Sequence, residues 1–460
     1  MPPSVRLPSA LLLLVHALAT AAPPDPAVLL PGQQIGPLRQ ASAVLEDGAL
    51  AMDERGQLLV GMPGGYTGQT GTVHLRRWEQ GQWQVRQILV PPPEFRQTGA
   101  RFGHALAVHG RWLLVGAPRE TVDGLAQAGA GYLFRRRDGD DGYDLVFNGR
   151  IIQQGVTGSG RQLGSAVAIG ADFAALGVPG HSVTGAAQSG QVLMLARQAS
   201  NAWFLDGTLA LPAGNPAAGA AFGSALAMTP SGDQVFVSAP DQTVADQAVA
   251  GRVYWFRRSS GAWQLRQQLS WTPVDLLDRF GASLALEGGY LFVGASARSK
   301  PGDVQTKGGG VRVYRREVSL DSWVTAADLF PATAQAGARF GQSLSVLATG
   351  SGPRLLVGVP RRNLGTLLIG VRSEAGEATV FEPSPVGAGH AWTSGANLRW
   401  GGSVLASASG NRFGSSVLLV PGDGGPLAFA AAPGRSDDGL TAGWVQAFVG
   451  DRVFADGFQP

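Results

Sequence analysis

One short unit repeats along the chain and limits what it can fold into. It is clearest at Arg101-Phe102-Gly103-His104-Ala105-Leu106-Ala107-Val108, followed by Trp112-Leu113-Leu114-Val115-Gly116-Ala117-Pro118. Two short runs of alternating apolar residues, separated by a turn, predict a hairpin with one face of each strand buried. The unit returns at Leu163-Gly164 to Gly177-Val178-Pro179, Phe222-Gly223 to Ser238-Ala239-Pro240 and Phe280-Gly281 to Gly294-Ala295-Ser296. It returns again at Phe340-Gly341 to Gly358-Val359-Pro360 and Phe413-Gly414 to Ala431-Ala432-Pro433, with a worn first copy at Asp47-Gly48 to Gly61-Met62-Pro63. Four of the seven copies keep the same glycine-to-glycine spacing (48 to 61, 103 to 116, 164 to 177, 281 to 294). The other three are longer by two or four residues (223 to 238, 341 to 358, 414 to 431). An even increment lengthens both strands of a hairpin and leaves every side chain on its original face.

Each core is followed by a third apolar strand, from Thr72-Val73-His74-Leu75 in the first copy to Trp444-Val445-Gln446-Ala447-Phe448 in the last. A fourth strand with an aromatic anchor follows six of them, at Trp83, Tyr143, Trp203, Trp263, Trp323 and Trp392. These aromatics are expected to pack between repeats. The seventh fourth strand is missing, and the run Ala27-Val28-Leu29-Leu30 is the candidate to supply it from the amino terminus. Repeats of this size stack to bury a shared core.

The paired Phe-Gly and Gly-Ala-Pro signatures resemble the FG-GAP repeats of the integrin α-subunit head and its bacterial relatives. The resemblance implies an all-β, seven-bladed β-propeller with four-stranded antiparallel blades, spanning residues 22–450 before a short tail at 451–460. It implies little about activity, because one fold hosts many. In that family many blades bind calcium through spaced carboxylates in the loop between the first two strands, as an ion with six to eight oxygen ligands requires. Here those loops read Gly170-Ala171-Asp172 or Thr229-Pro230-Ser231-Gly232-Asp233, and none offers three spaced carboxylates. No metal or cofactor is therefore expected. The acidic stretch Asp138-Gly139-Asp140-Asp141-Gly142-Tyr143-Asp144 reads as an ordinary turn.

Composition narrows the partners. The 460 residues carry a net charge of +3, too balanced for the concentrated basic field that nucleic acid needs. Arg6, the apolar run Leu7 to Ala19 and the small residues up to Ala21 read as a secretory signal peptide over residues 1–21, too short to span a bilayer. That address predicts a periplasmic or extracellular protein with no membrane span. Cysteine is absent, so there are no disulfides. Basic runs such as Arg76-Arg77, Arg135-Arg136-Arg137, Arg257-Arg258 and Arg315-Arg316 close the third strands and are expected on exposed rim turns.

The functional expectation is a binding or adhesion module for a glycan or an extracellular protein, without catalysis; a propeller-type glycan lyase or hydrolase and a structural envelope component are the alternatives. Arg101, Arg279, Arg339 and Arg412 each precede a Phe-Gly and are expected at one mouth of the central channel, where guanidinium groups suit carboxylate or sulfate. The loops after the Gly-Ala-Pro corners supply further contact candidates: Arg119, Glu120, Asp123, His181 and Asp241 in the first half. Lys300, Asp303, Arg361, Arg362 and Asp437 complete them in the second.

Overall fold

In the computed structural model, seven four-stranded antiparallel sheets form a closed ring, a seven-bladed β-propeller. The structure describes residues 34–35, 48–64, 70–155, 157–212, 217–302, 306–365, 370–387, 389–400, 408–422, 425–434, 436–437, 440–441 and 443–449. The expected signal peptide and the tail at 451–460 lie outside them. No α-helix occurs among the described residues.

Blade 1 runs Leu50–Met52, Leu58–Met62, Thr72–Glu79 and Gln82–Leu89, from the ring centre outward. Blade 2 comprises Ala105–His109, Trp112–Ala117, Ala130–Arg136 and Tyr143–Ile151. Blades 3 and 4 begin at Val167–Ile169 and Leu226–Met228 and end with outer strands Trp203–Leu209 and Ala262–Leu269. Blade 5 spans Phe280–Glu287 to Ser322–Leu329, and blade 6 spans Ser343–Thr349 to Gly389–Leu398. The long segment after residue 360 goes partly into a tall outer hairpin, Glu377–Val386 with Gly389–Leu398.

Blade 7 is built from Val417–Val420, Leu427–Ala432 and Trp444–Val449, and its outer strand is Gln34–Ile35. Gln34 pairs with Gln446 and Ile35 with Val445. The amino-terminal segment thus closes the ring, as the missing seventh outer strand predicted. The pairing residues differ from the expected Ala27–Leu30, which lie outside the described residues.

The repeated signature has a steric cause. In five blades a glycine near the end of the second strand lies against the glycine that opens the next blade's unit; blade 7 holds Ala431 at this position. A Cβ on Gly61, Gly116, Gly177, Gly294 or Gly358 would sit 1.9–2.1 Å from the carbonyl oxygen of Gly103, Gly164, Gly223, Gly341 or Gly414. Each Phe of the motif is fully buried, and its N–H donates to the turn before the previous blade's third strand: Phe102 to Thr70 O at 2.9 Å, Phe222 to Ser189 O at 3.0 Å, Phe413 to Ala375 O at 3.0 Å. Blade 4 carries Ser238 in place of this glycine, and its hydroxyl accepts from the Ala225 N–H at 2.8 Å.

Strand alternation divides each blade between its two neighbours. In blade 2, Leu113, Val115 and Tyr132 pack on Leu59, Val73 and Leu75 of blade 1, while Trp112, Leu114 and Leu133 pack on Leu176, Leu193 and Leu195 of blade 3. The outer-strand aromatics lean on the preceding blade, as expected: Trp83 on Phe429, Trp203 on Trp112, Trp263 on Phe173, Trp323 on Phe236 and Trp392 on Phe292, all edge to face. Such pairs contribute roughly 0.5–1.5 kcal/mol each beyond burial.

The arginines that close the third strands meet the rim-turn expectation only in part: Arg77 and Arg137 are exposed, whereas others are buried or reach across blade junctions. Arg76 and Arg136 are buried, and the latter reaches into blade 1 to pair with Asp53 at 3.4 Å and with Glu54. Arg258 crosses from blade 4 to Asp206 of blade 3 at 2.6 Å, and Arg257 crosses to Asp321 of blade 5 at 3.3 Å. Long side chains at strand ends span the distance between neighbouring sheets, so they tie blades together instead of blunting an edge.

Burial also sets a pH response. His74, on the third strand of blade 1, is 7% exposed, and desolvation, with the charge of Arg76 second, lowers its pKa to about 4. The folded protein keeps it neutral, whereas the unfolded chain takes up a proton below about 6.5. Its contribution is therefore intact above pH 6.5 and is lost as pH falls from there to about 4. The expected slope is at most about 1.4 kcal/mol per pH unit. Denaturant titrations across that window should give a flatter profile for His74→Leu; an unchanged slope would assign the effect elsewhere.

Candidate functional site

The residue before each Phe-Gly adopts a left-handed backbone. Arg101, Gln162, Ala221, Arg279, Arg339 and Arg412 have φ values of +61, +62, +55, +53, +63 and +51°. The strained conformation follows from the ring geometry: the chain arrives from the outer strand of one blade and must turn sharply into the innermost strand of the next. The turns after the Gly-Ala-Pro corners lie at the same end, as the bonds Arg119 N–H to Ala100 O and Arg361 N–H to Ala338 O, both 3.1 Å, establish. Both sets of residues therefore frame one mouth of the channel.

Charge gathers on one side of that mouth, over blades 5–7. Arg279 pairs with Asp241 at 3.0 Å, and Arg412 pairs with Glu374 at 3.0 Å. Arg361 approaches the other oxygen of Glu374 at 3.8 Å. Arg339 stands among them, half-buried, and no carboxylate among the described residues pairs with it. Its pKa is lowered, first by desolvation, then by the charges of Arg361, Arg279 and Arg412, with Glu374 opposing them. Four guanidinium groups thus share two carboxylates. Crowded like charges with the remaining faces open favour an anion whose oxygens can bridge several guanidinium forks.

The structure brings Arg279, Arg339 and Arg412 together and adds Arg361 from the corner loops. Arg101 belongs to blade 2, separated from Arg412 by blade 1 and from Arg279 by blades 3 and 4, whose equivalent positions hold Gln162 and Ala221. Asp278, next to Arg279 in the sequence, pairs with Arg298 and, at 3.7 Å, with Lys307.

The corner-loop candidates divide. Arg119, Asp123 and Lys300 are exposed. Glu120 is not a surface contact: it is fully buried, accepts from the Tyr132 hydroxyl at 2.7 Å and pairs with Arg150 at 2.6 Å. Burial raises its pKa and opposes those bonds. Arg362 is committed to Glu377 at 3.2 Å and to the Thr333 carbonyl at 2.6 Å. His181 is half-buried, and desolvation, then Arg161, lowers its pKa. The placement of Asp303 and the side chain of Asp437 lie outside what the structure describes.

The acidic turn at residues 138–144 is consumed by arginines. Asp138 pairs with Arg111, Asp140 and Asp144 with Arg137, and Asp141 with Arg55 and Arg77. No cluster of three or more metal-ligating side chains occurs among the described residues.

No protein-family model matches the chain, and no curated protein matches it. Solved structures do. A protein from Lactobacillus plantarum has 11% identity and a TM-score of 0.51, covering 78% of this chain and 87% of that one. A candidate 6-phosphogluconolactonase from Bacteroides fragilis has 12% identity and a TM-score of 0.47, covering 77% and 84%. A second so named, from Bacteroides uniformis, has 12% identity and a TM-score of 0.47, covering 78% and 87%. None of the three is named as an integrin or an FG-GAP protein. Because two of them carry the name of an enzyme, the expectation of a chain without catalysis is corrected, and that exclusion is dropped. At such identities the likeness concerns the fold.

Proposed function

We propose that the chain is a divergent FG-GAP-type propeller, exported through its signal sequence, whose arginine mouth over blades 5–7 binds the carboxylate or sulfate groups of an acidic glycan. One observation carries this reading: Arg339 is half-buried among Arg279, Arg361 and Arg412 without a carboxylate of its own. Holding that guanidinium in a field of like charge is costly, and a bound anion relieves it. The family assignment is supported by the seven signatures in register and by the contact between each corner glycine and the next Phe-Gly. An acidic patch on an extracellular protein would present the same carboxylates and is the alternative partner.

Glu374 and Asp241 stand in the same mouth, which gives a second reading in which the bound glycan is also cleaved. A single experiment separates these readings. Purified mature protein is titrated with polygalacturonate, heparin and a neutral glucan at two salt concentrations, and the mixtures are analysed for new chain ends. Saturable, salt-sensitive binding of the acidic polymers alone is expected. Arg339→Gln with Arg412→Gln should weaken it about tenfold to hundredfold, since a hydrogen bond to a charged group contributes roughly 1.5–3 kcal/mol. New chain ends that vanish in Glu374→Gln would establish the cleaving alternative. Equal binding by the variant would reject the mouth as the site.

A further inference from the structure

The junction of blades 2 and 3 departs from the repeat in a way that opens space. In blades 1, 3, 4 and 5 the outer strand holds one extra residue against the third strand: Arg86, Asp206, Arg266 and Ala326. In blade 2, residues 146–149 stand opposite Leu133 alone. The excursion turns through Asn148 at φ +55°, a conformation that asparagine tolerates. It then passes Gly149, where a Cβ would lie 2.6 Å from the Leu133 carbonyl oxygen and 2.7 Å from that of Val146. An Asn-Gly pair inside a strand is thus required by this loop, and the repeat does not demand it elsewhere.

The excursion borders a cleft of about 670 Å³ between the outer strands of blades 2 and 3. That size falls within the roughly 300–1,000 Å³ of small-molecule sites. Buried Leu193 and Leu195 line it, with Trp203. Phe204 and Leu205, also lining it, remain 43% and 59% exposed, unusual for large apolar side chains side by side.

The polar lining carries no free charge. Arg150 lines the cleft, but its guanidinium is held by Glu120 at 2.6 Å and lies 4.0 Å over the Phe95 ring. What remains is amide chemistry. The Asn201 side-chain oxygen accepts from Arg197 at 2.9 Å and the Gln153 oxygen accepts from Arg161, which leaves both NH₂ groups as donors. Asn148 adds an amide of its own. Aromatic and aliphatic walls with neutral amide donors match an uncharged molecule that has one apolar face and a periphery of acceptor hydroxyls.

We infer that this cleft is a second ligand site, for a neutral saccharide, independent of the arginine mouth. The probes are cellobiose, maltose and N,N′-diacetylchitobiose, titrated by calorimetry and by intrinsic tryptophan fluorescence against the mature chain. Saturable binding of at least one is expected, insensitive to salt and unchanged in Arg339→Gln with Arg412→Gln. Asn148→Gly with Phe204→Ala removes exposed groups and keeps at 148 a residue that tolerates the positive φ, so its thermal midpoint should hold while affinity falls about tenfold or more, the loss of a hydrogen bond and an aromatic surface. Ala202→Trp, which fills the cleft from its exposed side, should do the same. The inference is overturned if none of the three sugars binds up to its solubility limit. It is equally overturned if binding is unaffected by both variants, or if decanol occupies the cleft and the sugars do not displace it.

Discussion

Gly116→Ala should be among the most damaging single substitutions in the chain. The new methyl would be placed 1.9 Å from the Gly164 carbonyl oxygen and 2.9 Å from its carbon, both backbone atoms of the next blade. No rotamer change relieves such a contact; the two blades must separate. Gly116 has no positive φ, so the effect is steric and owes nothing to conformational preference. A loss of about 4 kcal/mol or more is expected, beyond the ordinary range for one methyl group. Gly139→Ala is the control, exposed and with open space around its Cβ position; it should stay within roughly 0.5 kcal/mol. Chemical denaturation of the two variants beside the parent decides the matter. A parent-like Gly116→Ala would mean that the blades are looser than this contact requires. Blade 4 indicates how the ring accommodates an exception: Ser238 is fully buried there, and a Cβ on Gly281 of the next blade would meet the Ser238 Cβ at 2.8 Å.

That contact also explains why the fold was legible in the sequence. A glycine demanded by backbone approach at five of the seven junctions leaves a recurring mark, and seven copies of the unit in register define the ring. The missing seventh outer strand pointed to closure by the amino terminus for the same reason, an unfilled place in a counted array. Charge was less legible. Nothing local distinguishes Arg136, buried across a blade junction, from Arg135 beside it, because the difference lies in which face of the strand meets the neighbouring sheet. Glu120 looked like a loop residue available to a ligand and proved to be held by Tyr132 and Arg150, partners 12 and 30 positions away. The arginine mouth was half visible: the residue before each Phe-Gly could be aligned by eye, whereas Arg361 and Glu374 join only through folding. The cleft between blades 2 and 3 had one signal, the Asn148-Gly149 pair inside an apolar strand, which is a turn dipeptide out of place.

Removal of the Arg136 side chain is the second change expected to have a large effect, and a second substitution identifies the cause. Asp53 is fully buried at its side chain and is held from all sides: by the Gln57 N–H at 3.0 Å, the Gln57 amide at 3.1 Å, the Tyr143 hydroxyl at 3.1 Å and Arg136 at 3.4 Å. Arg136 is the cation of this group and also draws Glu54, whose pKa it lowers. Arg136→Met preserves much of the packing volume but strands a carboxylate in the blade 1–blade 2 junction. Losing one partner of a buried pair costs about 3–5 kcal/mol. With the cation gone, the buried carboxylate is left with neutral donors alone. Adding Asp53→Asn to Arg136→Met removes the charge altogether and should restore a substantial part of the loss. If the double variant is no more stable than Arg136→Met alone, the arginine acts through packing, and the ion pair between the blades is incidental.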